Sequence, residues 1–261
     1  MTEANKPKSG LDFALVSGAA FVYALLPWPT AARPSHALLA AIASLLLVVA
    51  WRRANPPLIS ATLLVTLTSL AWLIDPRWLP WPANFALPLA VHALLIWRVP
   101  ELRTGVPSLR RGELGGSVVW LALGVVVVSS SALVAWRWLA RPELGDLDRM
   151  LPDLALPLLL LGGLGFALLN ALLEEAVFRV VLFDALDDAG PTSAALLVQA
   201  LAFGALHLHG FPRGAIGVGL AGIYGLMLGA LRIRARGMLA VYVAHVLADV
   251  TIFTILLTWV R

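Results

Sequence analysis

Between Asn170 and Phe183 the chain reads NALLEEAVFRVVLF, which sets Glu174, Glu175 and Arg179 in an otherwise apolar run. In a helix, Glu175 and Arg179 share a face as an i,i+4 pair, and Glu174 points about 100° away. The natural division is that Arg179 neutralises Glu175 and leaves Glu174 free to act. Two further constellations follow in later apolar segments, Phe203-x-x-x-His207 and His245-x-x-x-Asp249, each again placing its two residues on one helical face. A charge at the centre of a membrane helix costs about 2.5–3.5 kcal/mol, so Glu174, Glu175 and Arg179 facing lipid would forfeit roughly 8–10 kcal/mol. They therefore need a partner, a wet cavity or the interface. Converged, the glutamates, histidines and aspartate would form a polar pocket in a low-dielectric wall. A desolvated glutamate there suits a general base, and two histidines can hold a metal or stabilise an oxyanion. Activation of water for hydrolysis of an amide bond is the reaction these parts fit.

Each group also has a bland reading. Leu154–Leu173 carries no charge and could already span about 30 Å, making the Glu174 cluster a helix end. That would leave Val180, Val181, Leu182 and Phe183 outside the bilayer, where an apolar run has little reason to be. His207 alone could be an interfacial histidine, and a His245–Asp249 pair could merely satisfy itself. His209 precedes Gly210-Phe211-Pro212 and reads as part of an exit loop.

The elements that must position these groups are membrane helices. Hydrophobic residues make up 60% of the 261, charged residues only 13%, and the mean hydropathy is +0.88. A soluble domain carries about 25% charged residues, so this chain is expected to be an all-α, polytopic transmembrane bundle. With no cysteine, disulfides, thiolate metal sites and cysteine nucleophiles are excluded. Nine apolar runs are candidate spans: 11–28, 37–51, 58–74, 84–97, 117–138, 154–183, 192–208, 214–231 and 238–260. The second and fourth are short, which leaves eight crossings as the alternative. The first run follows a polar start and reads as a retained helix rather than a cleaved signal. Pro27-Trp28-Pro29 and Leu79-Pro80-Trp81-Pro82 fall where interfacial aromatics and helix stops belong.

With nine spans and the N-terminus inside, eleven lysines and arginines fall on the inner side and seven on the outer, with Arg179 within a span. The positive-inside rule then favours a cytoplasmic N-terminus, in a plasma (inner) membrane. Ionisable groups within spans cluster after residue 150. Residues 1–150 are therefore expected to be scaffold and 151–261 the working core of a single membrane domain.

EExxxR, FxxxH and HxxxD, in this order and within apolar segments, resemble the CPBP family of intramembrane proteases, which includes type II CAAX prenyl endopeptidases and bacteriocin-processing and immunity proteins. The resemblance covers about residues 155–255, including the glycine-rich segment from Gly214 to Gly229. It implies an all-helical bundle with a cavity opening toward the cytosol, and an endopeptidase acting on a membrane-anchored protein or peptide. Such processing would be of CAAX, leader-peptide or C-terminal-anchor type. It also implies that Glu174 and His207 activate water, that His245 and the residue four positions on stabilise the oxyanion, and that Glu175 and Arg179 support them, with Phe203 alongside. The prenyl endopeptidases carry asparagine where this chain has Asp249. An ionised aspartate cannot donate to an oxyanion, so Asp249 must be protonated, orient His245 or help hold a metal. Glu174, His207 and His245 are then candidate ligands for a divalent ion such as zinc. A lipid bilayer is an expected partner; nucleic acid is not.

Counted at about 1.5 Å per residue from the cytoplasmic ends of these spans, Glu174 lies about 13 Å deep, His245 about 10 Å and His207 about 22 Å. Bundle tilt, a later start for the helix bearing His207, or a sixth helix projecting into the cytosol would reconcile them. Two other classes remain open on residues alone. One is a proton-coupled carrier using the same groups as a relay, which would predict inverted repeats that the sequence does not display. The other is a silent immunity or scaffold protein.

Overall fold

A computed structural model describes residues 9–27, 33–75, 77–103, 110–142 and 153–259. Trp28, Pro29 and the charged positions Lys6, Lys8, Arg149 and Arg261 used in the orientation reading lie outside the described residues. Among the described residues the regular structure is entirely helical, and each of the nine expected spans corresponds to a helix. The helices are α1 (Gly10–Leu25), α2 (Arg33–Arg52), α3 (Pro56–Ala71), α4 (Ala83–Arg98), the short α5 (Pro100–Arg103), α6 (Gly116–Ala140) and α7 (Leu156–Glu175). A π-helical segment, Ala176–Leu182, leads into α8 (Phe183–Ala189), followed by α9 (Thr192–Leu206), α10 (Gly214–Ala235) and α11 (Leu239–Trp259).

Among the described residues five apolar helical runs are long enough to cross a membrane: Pro34–Arg52, Gly116–Ala140, Leu156–Ala189, Gly214–Ala235 and Leu239–Thr258. Four shorter apolar helices, Gly10–Leu25, Pro56–Ala71, Ala83–Arg98 and Thr192–Leu206, accompany them. The second expected span thus gains length, because Pro34 sits in the first turn of α2, where its missing N–H costs nothing. The fourth stays at 16 residues and carries Pro88 inside. Leu158, Leu161, Leu164, Leu168 and Leu172 of α7 are exposed. Water would not tolerate such a leucine stripe, whereas lipid does. The chain is an integral membrane protein.

By contacts the chain forms two units, one comprising Met1–Ser108 and Ala176–Leu206, the other Leu109–Glu175 and His207–Arg261. In the first, α1 packs on α3 and α9, α3 packs on α2 and α4, and α8 packs on α9. A run of ring contacts threads it: His36 on Trp72, Trp72 on Phe85, Phe85 on Tyr23, Tyr23 on Phe178 and Phe178 on Phe203. The start of α1 is tied to the α2–α3 turn by buried Asp12, which accepts from Arg53 Nε and, at 2.9 Å, from Asn55 Nδ2. Replacing Asp12 with alanine leaves both donors without their acceptor. Hydrogen bonds to charged groups are worth about 1.5–3 kcal/mol, so Asp12→Ala should lower the thermal unfolding midpoint in detergent by several degrees. An unchanged midpoint would show that this tie carries no stability.

In the second unit, α11 packs against α6, α7 and α10, and α6 also packs against α10. Its core collects Val118, Val125, Leu228, Leu231, Val241 and Ala244. Three devices fix α11. Ser130 and Thr251 hydroxyls meet at 2.8 Å, Tyr242 donates to the Leu168 carbonyl at 3.0 Å, and Gly163 of α7 admits the Phe253 ring so closely that an added Cβ would lie 2.4 Å from it. The α10–α11 turn is clasped to residues 110–113 by backbone bonds from Met238 to Arg110, from Leu239 to Arg111 and from Glu113 to Ala235. Gly112, at φ +84°, and Gly237 cross there; a Cβ on Gly237 would stand 2.2 Å from the Gly112 backbone. No other residue fits either place without moving the chain.

Candidate active site

The site forms where α7 and α11 of the second unit pack together. Asn170 and Glu174 are one turn apart on α7, so their side chains meet, and Asn170 Nδ2 donates to Glu174 Oε1 at 3.3 Å. Glu174 and Glu175 diverge by about 100° around the helix, and that divergence lets them grip one ring. His245 of α11 enters between them, with Nδ1 2.6 Å from Glu175 Oε1 and Nε2 3.4 Å from Glu174 Oε2. One turn further along α11, Asp249 Oδ1 stands 3.8 Å from the same Nε2. Its Oδ2 accepts from Asn170 Nδ2 at 3.1 Å, which closes the cluster back onto α7. Tyr224 of α10 packs edge-on against the imidazole, 5.5 Å between centroids.

Hydrogen-bond chemistry restricts the protons here. A carboxylate only accepts, so the 2.6 Å contact assigns a proton to His245 Nδ1, and its length is that of a charge-assisted bond. Nε2 then faces the oxygens of Glu174 and Asp249. Burial separates the two glutamates: the Glu174 side chain keeps 18% of its surface, the Glu175 side chain only 3%. Glu174 is the less enclosed of the two. Glu175 is enclosed and committed to the imidazole.

The residues expected from the sequence are placed unevenly. Glu174, His245 and Asp249 come together as expected. Glu175, expected to serve Arg179, has His245 as a partner. His207 stands in the turn just after α9, belongs to the second unit and acts electrostatically on Asp249. Arg179 and Phe203 lie in the first unit, where the fully buried guanidinium sits over the Phe203 ring at 4.5 Å from its centroid. That is a desolvated cation–π contact, the setting in which such contacts are strongest. Arg179 lies in the π-helical segment; such segments are rare and recur at functional sites. Asn170 is a site residue that the motifs do not include, and its only sequence signal is the four-residue spacing to Glu174.

The resemblance implies a metal ion on Glu174, His207 and His245. Among the described residues no three histidine, aspartate or glutamate side chains are grouped so as to hold one. His245 Nδ1 is taken by Glu175, and its Nε2 is directed at two carboxylates.

Comparison with known proteins agrees with the motif reading. Residues 156–251 match the family model described as Rce1-like, type II CAAX prenyl endopeptidase Rce1-like. The matched segment contains all three motifs and every residue of the cluster on α7 and α11. No curated protein and no solved structure matches the chain. Over residues 156–251, which hold both helices of the cluster, the chain is thus similar to the type II CAAX prenyl endopeptidase Rce1-like family.

Proposed function

We propose that this protein hydrolyses a peptide bond in a membrane-anchored protein or peptide, by a water that Glu174 activates. The observation that carries this reading is the grip on His245: one buried glutamate orients the ring through Nδ1, and a second, partly exposed one stands at Nε2. An oriented imidazole beside an accessible carboxylate is the arrangement that general acid–base catalysis requires. Glu174 takes a proton from water as the water oxygen attacks the scissile carbonyl. The oxyanion that forms accepts from His245 Nε2–H, and Glu175 steadies the imidazolium character that this donation needs. Glu174 then passes its proton to the leaving amine as the C–N bond breaks, which regenerates the carboxylate. His207 assists Glu174 from the water side. Asp249 enters as a carboxylic acid or as an orienter of His245, since an ionised carboxylate would oppose the oxyanion. Arg179, held over the Phe203 ring, anchors the chain segment that follows the glutamates.

Substrates of CAAX, leader-peptide or C-terminal-anchor type all present a cleavable bond near the membrane surface. The arginine and lysine bias supports a cytoplasmic N-terminus in a plasma (inner) membrane. No step is routed through a metal. Purified protein in liposomes with a single-pass or prenylated peptide should therefore cleave at the same rate in EDTA or 1,10-phenanthroline as in buffer. A loss of more than about tenfold, restored by zinc, would replace this mechanism with a metal-assisted one.

A further inference from the structure

Asn170 has no place in the three motifs, yet its side chain bonds to both helices of the cluster. Its Nδ2 carries two hydrogens, and the amide spends them on different helices: one on Glu174 Oε1 of α7 at 3.3 Å, the other on Asp249 Oδ2 of α11 at 3.1 Å. Asparagine is a poor helix former, and an amide at membrane depth is costly unless it is bonded. These two bonds are what its position offers in return. The surroundings make the bridge consequential. Glu174, Glu175 and Asp249 crowd around one imidazole, with His207 acting on Asp249 from outside the two helices. A neutral donor between two acceptor oxygens relieves their repulsion and fixes where each points.

We propose that Asn170 is a positioning residue for the hydrolysis, holding the Glu174 and Asp249 carboxyl groups at a fixed separation on either side of His245. The role rests on the proteolytic reading given above. Asn170 acts through the two carboxyl groups and makes no bond to the substrate. Exchanging the amide and the acid between positions 170 and 249 keeps one donor and one acceptor across the α7–α11 interface, whereas a carboxylate at both positions does not.

The test compares wild type, Asn170→Asp, Asp249→Asn and the double exchange Asn170→Asp/Asp249→Asn in liposomes, reading kcat and KM for a membrane-anchored peptide. Thermal unfolding of each protein in detergent is read alongside. Loss of a bond to a charged group corresponds to about 10- to 100-fold, so Asn170→Asp should lower kcat by that factor with KM within about twofold. The double exchange should recover at least tenfold of that loss, and the four midpoints should be non-additive in the same direction. A folded Asn170→Asp protein that cleaves at the wild-type rate overturns the proposal. So does a double exchange no better than Asn170→Asp. If the wild type is folded and cuts nothing while the midpoints remain coupled, the proteolytic reading fails and the bridge between α7 and α11 stands.

Discussion

Glu174→Gln is expected to reduce peptide cleavage by about 10³-fold or more while leaving the protein folded and substrate-binding. Glutamine preserves the volume of the side chain and can still hydrogen-bond to Asn170, but it cannot take a proton from water. General-base catalysis contributes typically about 10²–10⁴-fold. The two neighbouring carboxyl groups are poorly placed to substitute: Glu175 is enclosed and bonded to His245 Nδ1, and Asp249 is buried on α11. The loss should therefore appear in kcat, with KM little changed, because Glu174 is used on the way to the transition state rather than in holding the ground state. Initial rates across a range of peptide densities in liposomes separate the two. A glutamine variant within about tenfold of wild type would move the base to another residue.

Glu175→Gln is the second large effect, and it tests orientation rather than proton abstraction. The Glu175 carboxylate fixes His245 by accepting from Nδ1, and that bond decides which imidazole nitrogen is presented to the reaction. A glutamine can turn its NH₂ toward the ring, which would place the proton on the other nitrogen and leave Nε2 with different work. It also removes the negative charge that steadies an imidazolium as the oxyanion forms. In the serine-protease triad, changing the orienting aspartate to asparagine costs about 10⁴-fold through the wrong tautomer. Here a kcat lower by about 10²–10³-fold is expected, again with KM close to wild type. The ring proton of His245, followed by NMR in ¹⁵N-histidine-labelled protein in micelles, should change its Nδ1 signature in the same variant. Unchanged kcat and an unchanged ring signature together would show that Glu175 does not orient His245.

The apolar pattern made a helix legible at each of the nine apolar runs among the described residues, because such runs of leucine, valine and alanine in lipid have few other ways to satisfy their backbone. It was less informative about ends. Pro34 extends α2 to 20 residues, and α4 stops after 16. Which helices pack together was not legible at all. α6 belongs with α10 and α11, while α9 packs with α1, and no local residue pattern announces either pairing. The same gap explains the glutamates. Helical spacing turns Glu174 and Glu175 about 100° apart, but their common partner comes from α11, some seventy residues later, so both reach His245 in a way that spacing alone could not state. The π-helical winding from Ala176 to Leu182 was not legible either, because no residue type marks it. Asn170 is equally hard to single out, because one asparagine in an apolar helix has many bland explanations until its two partners are seen.

The most direct test is cleavage by the purified protein alone. Wild type and Glu174→Gln are reconstituted in liposomes with a membrane-anchored peptide carrying a prenylated C-terminal segment, alongside a transmembrane peptide with a short cytosolic leader. Products are mapped by mass spectrometry. Hydrolysis of at least one substrate by wild type at a defined bond, absent with Glu174→Gln and insensitive to chelator, is the expected result. Equal product from both proteins, or none from a folded wild type against either class of substrate, would contradict the assignment of this cluster as a peptide-bond hydrolase.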